Sequence, residues 1–306
     1  MMDRRNFLKK SILFSGFSWN FLNKKSIKSG INEMKITIIY FSATSNTLKI
    51  KNVIKNELKE HNVICDELDI TSYQNRQSPI DLKPYDAVIF GFPVHARWSP
   101  KIAREWLKTL NGNNMRCATF FTYGGFGAYP AHGNLKKVLE ERNFVVVASA
   151  EFLGAHAFNY GGFNALPDRP NSHDFKVAQE FAHIIKDRFS NNVLKKISDF
   201  EKGKWTEEQI DSFQNHRYKT VSQLPTRNGE TCSLCKTCED ECPTKAMDSI
   251  SGNTDKTKCI VCLRCVANCP DNALHINDLS MKWEKKLAEE GKSESILQKK
   301  ESKIYL

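Results

Sequence analysis

The stretch KITIIYFSATSNT at residues 35–47 decides the fold of the larger part of this chain. After Lys35 its first residues are all β-branched or aromatic, which predicts a buried strand over residues 35–41. The following residues are short and mostly hydroxyl-bearing, and apolar residues at helical spacing continue over residues 47–61. A strand that passes through a short polar loop into a helix is the first part of a βαβ unit.

The same alternation continues downstream. Further strands are predicted at residues 63–70, 87–92, 117–122 and 144–152. Further helices are predicted at residues 100–110, 134–141 and 172–189. Strands that alternate with helices indicate an α/β fold with a parallel sheet covered on both faces. Five such strands predict a flavodoxin-like, doubly wound, parallel five-stranded sheet of order 2-1-3-4-5.

The loop at residues 42–47 is the first candidate ligand site, because ligands of such sheets bind beyond the strand ends. Hydroxyl side chains and backbone N–H groups at a helix N-terminus form an anion site. The loop resembles the phosphate loop of flavodoxins, T/S-x-T-G-x-T, which binds the phosphate of FMN. Ser45 replaces the glycine of that family, which puts the FMN affinity in question. An ordinary Ser/Thr-rich N-cap is the alternative. The matching residues are Ser42, Thr44, Asn46 and Thr47.

Two more loops follow predicted strands, GFPVHARWSP at residues 91–100 and TYGGFGAY at residues 122–129. In flavodoxins the loops at these places enclose the isoalloxazine ring with an aromatic side chain and main-chain N–H groups. The alternative is that each aromatic residue belongs to the core or to a surface loop. By resemblance, the FMN ring contacts are Pro93, Gly124 and Gly125, with Trp98 or Tyr123 as the stacking residue.

Other titratable residues of this domain give a weaker signal. His95, His132 and His156 lie in or near the loops, and without a visible partner they are interpreted as loop histidines rather than proton donors. Cys65 and Cys117 fall on strands that are not neighbours in the predicted order, so they are interpreted as buried thiols.

Eight cysteines occur in two copies of C-x2-C-x2-C-x3-C-P, CSLCKTCEDECP at residues 232–243 and CIVCLRCVANCP at residues 259–270. This is the spacing of bacterial ferredoxins with two [4Fe–4S] clusters, in which the fourth cysteine of each copy binds the other cluster. The predicted ligands are Cys232, Cys235, Cys238 and Cys269 for the first cluster, and Cys259, Cys262, Cys265 and Cys242 for the second. Zinc sites need no third evenly spaced thiolate, and disulfide scaffolds are small secreted chains, whereas this chain has 306 residues.

The net charge of +10 is concentrated at the N-terminus. Residues 1–30 carry seven basic residues and one acidic residue, whereas residues 230–278 carry eight acidic and five basic residues. No basic stripe remains, so the sequence predicts no nucleic-acid binding of that kind.

The first residues, MMDRRNFLKK, resemble a twin-arginine export signal. Asp3 stands where Ser or Thr is usual, and no A-x-A cleavage site follows. The apolar run at residues 11–22 is too short and too polar for a membrane span. Export by the twin-arginine route, or membrane association through the N-terminus, is predicted. A basic extension on a cytoplasmic protein is the alternative.

Over residues 35–278 the chain resembles the flavodoxin–ferredoxin fusion proteins of anaerobic bacteria and archaea. The resemblance implies an electron-transfer protein with FMN, two [4Fe–4S] clusters and redox partner proteins. An FMN-dependent reductase of a small substrate such as a quinone, and a ferredoxin with a flavin-free docking domain, are the alternatives. No catalytic nucleophile or acid–base pair is visible, so an electron carrier is favoured over an enzyme.

The sequence also predicts the domain organisation. It consists of an export signal or basic extension (1–33), a flavodoxin-like domain (34–190), a helical linker (191–227), a small α+β ferredoxin domain (228–278) and a charged helical tail (279–306).

Overall fold

The computed structural model of the chain describes residues 33–306, except 192–194, 201–203, 228 and 230. The twin-arginine-like motif and the short apolar run both lie outside the described residues. Within the described part, none of the helices has the length and apolar character needed to cross a membrane.

A parallel sheet of five strands forms the centre of the larger domain. In chain order the strands are β1 (Lys35–Tyr40), β2 (Ile64–Asp69), β3 (Ala87–Pro93), β4 (Arg116–Tyr123) and β5 (Val145–Leu153). Their spatial order is β2-β1-β3-β4-β5, which confirms the predicted doubly wound topology. All nine residues of β5 are buried, as expected for a strand covered on both faces.

Helices cover both faces of the sheet. They are α1 (Asn46–Glu60), α2 (Lys101–Leu107), α3 (Tyr129–Glu140) and α4 (Ser172–Ser190). On one face α1 and α4 pack on Ile36 and Ile38, whereas on the other face α2 and α3 pack on Ile39 and Val88. Successive strand residues therefore point into two separate hydrophobic clusters, which is why the strand sequences are apolar without alternation.

The sheet has a sixth strand, β8 (Lys303–Tyr305), which pairs antiparallel with β5. The predicted helical tail is therefore helical only in part: α9 (Ser280–Glu289) and α10 (Glu294–Gln298) precede this strand. Pairing with β8 satisfies backbone groups that the edge of β5 would otherwise expose. Three residues within a Lys/Glu-rich segment give no periodicity that would predict a strand.

A small two-stranded, cysteine-rich domain follows the sheet domain. The connecting segment contains α5 (Glu207–Asn215) and α6 (Arg217–Thr220). The small domain contains β6 (Thr226–Arg227), α7 (Thr237–Asp240), α8 (Arg264–Ala267) and β7 (Leu274–His275), with β6 and β7 antiparallel. Val261, Leu263, Val266 and Leu274 of this domain belong to the same hydrophobic cluster as Ile39 and Val88. The two domains therefore share one continuous core.

Candidate functional site

A cleft that encloses about 740 Å³ of empty space, part of it open to solvent, lies at the carboxyl ends of the parallel strands. The three loops predicted to bind a ligand all contribute to its wall, and residues 154–157 after β5 complete the side formed by the sheet domain. The remaining wall comes from Arg217 and from residues 260–262 of the cysteine-rich domain. The cysteine-rich domain therefore takes part in the ligand site of the sheet domain.

The loop at residues 42–47 is held by its own side chains. The Ser42 hydroxyl accepts a hydrogen bond from Leu48 N at 3.1 Å, and Thr47 Oγ1 lies 2.7 Å from Thr122 Oγ1. Asn46 Nδ2 donates to Ala155 O at 2.8 Å. The first N–H groups of α1 have no partner within the helix, and no acidic residue lies in its first turn. This geometry favours an anion such as a phosphate at the start of α1.

Ser45 adopts a left-handed backbone conformation with φ of 68° and lies outside the cleft wall. A non-glycine residue pays about 1–2 kcal/mol for that conformation, which glycine adopts freely. The loop thus keeps the backbone shape of a glycine-containing loop at the cost of local strain.

Residues 95–98 form a tight turn beside the cleft. His95 N donates to Trp98 O at 2.6 Å, and the two central residues, Ala96 and Arg97, have φ of 50° and 75°, the pattern of a type I′ turn. Gln214 of α5 fixes this turn by donating to His95 O at 2.6 Å. Trp98 is buried, with the Arg104 guanidinium 5.3 Å from its ring centre, and it does not line the cleft. Pro93, in contrast, does line it.

After β4, Tyr123 and Gly124 line the cleft, whereas Gly125 does not. The Tyr123 hydroxyl donates to Glu151 at 3.2 Å inside the core, and burial raises the pKa of this phenol above its ordinary value. A Cβ on Gly124 would lie 2.4 Å from Cδ2 of His156, so the chain can pass there only with glycine.

Ten residues are predicted to bind the cofactor, and the structure brings seven of them together in the wall of the cleft. These seven are Ser42, Thr44, Asn46, Thr47, Pro93, Tyr123 and Gly124. The other three, Ser45, Trp98 and Gly125, do not line the cleft.

Arg217 is a residue of the cleft that sequence reasoning missed. Its side chain is 7% exposed, its guanidinium lies 5.1 Å from the Phe158 ring centre, and its Nε has no hydrogen-bond partner. Burial lowers the pKa of Arg217 to about 10, although the nearby Cys262 and Cys259 act in the opposite direction. A single arginine in a polar connecting segment gives no sequence signal for a ligand site.

The eight cysteines line two cavities in the cysteine-rich domain. The far cavity, named for its greater separation from the cleft, is lined by Cys232, Cys235, Cys238 and Cys269. The near cavity is lined by Cys242, Cys259, Cys262 and Cys265. Each cavity contains three cysteines of one sequence copy and the fourth of the other, which are the two ligand sets assigned from the spacing.

The sulfur atoms of these cavities fit a multi-iron cluster better than a single ion. Within the described part of the chain, no three cysteine sulfurs lie within 4.8 Å of one another. Tetrahedral zinc with Zn–S bonds of about 2.3 Å would require sulfurs about 3.8 Å apart. Burial raises the pKa of Cys259 to about 12 and that of Cys262 to about 11, so thiolates in the near cavity need a bound cationic centre.

Backbone N–H groups point at the fourth cysteine of each copy. Ala246 N donates to Cys242 Sγ at 3.2 Å, and Ala273 N donates to Cys269 Sγ at 3.3 Å. These equivalent contacts show that the two halves of the domain repeat each other. Hydrogen bonds to ligand sulfurs are one of the means by which proteins set the potential of iron–sulfur clusters.

The near cavity adjoins the cleft. Ile260 and Cys262 line both spaces. Arg264, two residues after Cys262, donates through Nη1 to Ser42 O at 3.0 Å and pairs through Nη2 with Glu241 at 3.2 Å. The second cysteine copy therefore rests directly on the loop that forms the anion site.

Comparison with known proteins agrees with this division. Residues 37–150 match the flavodoxin domain family, and residues 224–281 match the 4Fe-4S dicluster domain family. The chain carries a flavodoxin domain and a 4Fe-4S dicluster domain. The first domain implies FMN and the second implies iron–sulfur clusters, and together they suggest electron transfer.

Three individual proteins are similar to about half of this chain or less. The flavodoxin-like domain-containing protein BilS of Clostridioides difficile is 29% identical over 124 residues, which are 40% of this chain and 64% of that protein. A flavodoxin from the domain Archaea has 18% identity and a TM-score of 0.40, covering 52% of this chain and all of its own. Rubredoxin oxygen:oxidoreductase of Desulfovibrio gigas has 17% identity and a TM-score of 0.38, covering 52% of this chain and 37% of its own.

Proposed function

We propose that the protein transfers electrons between FMN bound in the cleft and two [4Fe–4S] clusters bound in the near and far cavities. The observation that carries this proposal is the position of Cys262, which lines both the cleft and the near cavity. A ligand of the near cluster would then lie at the wall of the flavin site, without an intervening layer of protein. FMN exchanges one or two electrons, whereas each cluster exchanges one.

The residues of the cleft support FMN in a definite orientation. The N-terminus of α1, with Ser42 and Thr47 fixing its loop, would hold the phosphate. The close approach of Gly124 to His156 leaves the backbone after β4 exposed to the ring of the ligand. The tight turn at residues 95–98 and the Ile260–Cys262 segment would enclose the rest of the ligand on the side facing the near cavity.

The far cavity is the proposed contact point for redox partner proteins. Cys235 is exposed, and the neighbouring Leu234 is 54% exposed. An electron that arrives there would reach the cleft through the near cluster.

Export by the twin-arginine route remains our proposal for the location of the protein. Fractionation of cells would refute it if the intact protein were found only in the cytoplasm.

The test is anaerobic purification followed by three measurements: acid release of flavin, iron content and the visible spectrum. We expect about one FMN and about eight irons per chain, because each [4Fe–4S] cluster contains four. A protein with eight irons and no releasable flavin would contradict the electron path to the cleft and would favour a ferredoxin with a flavin-free domain. Quinones or nitro compounds are also added to the reduced protein. If they reoxidise it faster than they reoxidise a reduced free ferredoxin, the small-substrate reductase is favoured.

A further inference from the structure

Arg217 is a buried cation in the wall of the cleft, on which Cys262 of the near cavity also lies. It lines the cleft and is close enough to Cys262 and Cys259 to interact electrostatically with both. Within the described ranges no carboxylate forms an ion pair with it, and its Nε lacks any hydrogen-bond partner. A buried charge without a partner is costly, so its position indicates that an anion belongs beside it.

The neighbours of Arg217 do not supply that anion. His95 and His156 both line the cleft, and burial lowers the pKa of His95, and that of His156 to about 3, so both are neutral. The ring nitrogens of His95 are buried close to Gln214 and to the backbone of Ile260. The corner formed by Arg217, His95 and His156 therefore carries one positive charge, that of Arg217.

The far cavity offers a contrast. The arginine that lines it is Arg227, whose guanidinium donates to Ser249 O at 3.2 Å and to Ile250 O at 2.6 Å. Arg227 is half-buried and is hydrogen-bonded to these two carbonyl groups, and the other basic residue of this wall, Lys236, is exposed to solvent. The two cavities thus have equivalent cysteines but different electrostatic surroundings.

We propose that Arg217 is a counter-ion shared by the near cluster and the ligand of the cleft, and that it favours the reduced state of both. This inference rests on the proposed function. A cluster gains one negative charge on reduction, and net charge and hydrogen bonds are among the factors that set its potential. A fixed cation in a site with little water stabilises that added charge. Electrons that enter the far cluster then move downhill to the near cluster and the cleft.

The test compares Arg217→Gln with the native protein in redox titrations monitored by electron paramagnetic resonance and visible absorption. The titrations are repeated in a Cys235→Ala background, where loss of the far cluster leaves the near-cluster signal unmixed. We expect the redox equilibrium of the near cluster to shift at least tenfold toward the oxidised state, about 59 mV for one electron. The far cluster should shift by less than twofold, and the flavin couple should shift in the same direction as the near cluster.

Two further variants make the result decisive. Lys83→Gln also removes one positive charge, but from an exposed position outside the cleft, and should leave every potential unchanged. Arg217→Lys keeps the charge and should keep the near-cluster equilibrium within about threefold of the native protein. Equal shifts of both clusters in Arg217→Gln, or a tenfold shift in Arg217→Lys, would overturn the proposal. Absence of flavin in the native protein would refute FMN binding, but the shift of the near cluster would still decide the role of Arg217.

Discussion

The near and far cavities have the same cysteine spacing and the same local backbone, yet one is part of the protein core and the other faces solvent. Leu234 and Val261 occupy the same place in the two copies and have φ of 55° and 52°. Leu234 is 54% exposed, whereas Val261 is 1% exposed. The repeated spacing therefore determines how four sulfurs come together in each cavity. Packing against the sheet domain determines whether the residues around them are buried or exposed.

The next equivalent pair shows the origin of this difference. Lys236 and Leu263 have φ of 62° and 60°, but only Leu263 belongs to the core shared with the flavodoxin domain. The following residues are Thr237 and Arg264, and Arg264 contacts the anion-site loop. At these two positions the second copy has Leu263 and Arg264 where the first has Lys236 and Thr237, so it is the second copy that packs an apolar side chain into the shared core and contacts the anion-site loop.

The largest expected effect is loss of a whole cluster. Cys262→Ala should remove the near cluster and Cys235→Ala the far one, each lowering the iron content from about eight to about four per chain. Only Cys262→Ala should also stop electron exchange between the remaining cluster and FMN, measured by stopped-flow absorption. If both variants stopped that exchange equally, the near cavity would not be the link to the cleft.

Cys269→Ala tests whether the fourth cysteine of one sequence copy binds the cluster held by the other copy. Although Cys269 belongs to the second sequence copy, it lines the far cavity, so the variant should lose the same cluster as Cys235→Ala. Electron paramagnetic resonance of the reduced protein would show which signal disappears. Loss of the near-cluster signal in Cys269→Ala would contradict the assignment of both cavities.

Equivalent lysine substitutions test the difference in burial. Val261→Lys places a charge in the shared core and should lower the free energy of unfolding by about 3–5 kcal/mol. Leu234→Lys changes an exposed position and should alter it by less than about 0.5 kcal/mol. Chemical denaturation of the reconstituted protein under anaerobic conditions would measure both. Similar values for the two variants would show that the domains do not pack against each other in solution.

Arg264→Gln tests the contact between the second copy and the anion site. The variant loses charged hydrogen bonds to the carbonyl groups of Ser42 and Ala43 and the ion pair with Glu241. We expect the dissociation constant of FMN to rise about tenfold, which corresponds to about 1.4 kcal/mol. Thr237→Val, the change at the equivalent place, should leave FMN binding unaltered. Fluorescence titration of the flavin-free protein provides the measurement, and equal affinities for both variants would contradict the coupling.

The sequence predicts features that depend on local patterns, and it misses features that depend on how distant segments pack together. Buried strands have continuous apolar runs, and five of them alternating with helices favour the doubly wound order 2-1-3-4-5, so this sheet was predictable from the sequence. Arg217 and the Ile260–Cys262 segment reach the cleft only because the connecting helices and the small domain fold back over the sheet. The direction of Trp98 depends on the turn at Ala96 and Arg97 and on the buried Arg104, and none of these has a recognisable pattern in the chain.

Ser45→Gly is expected to have the smallest effect, and it tests the backbone strain in the anion-site loop that Arg264 of the second cysteine copy contacts. Glycine removes the strain at φ of 68° but adds freedom to the unfolded chain, so the free energy of unfolding should rise by only about 0.5–1 kcal/mol. The loop already has its left-handed shape, so the affinity for FMN should change less than twofold. Asn62→Gly, at φ of 59° outside the cleft, is the matched control and should gain less because asparagine tolerates this conformation. A large loss of FMN affinity in Ser45→Gly alone would show that the serine hydroxyl binds the phosphate, and the loop would then be adapted by its side chain rather than strained in its backbone.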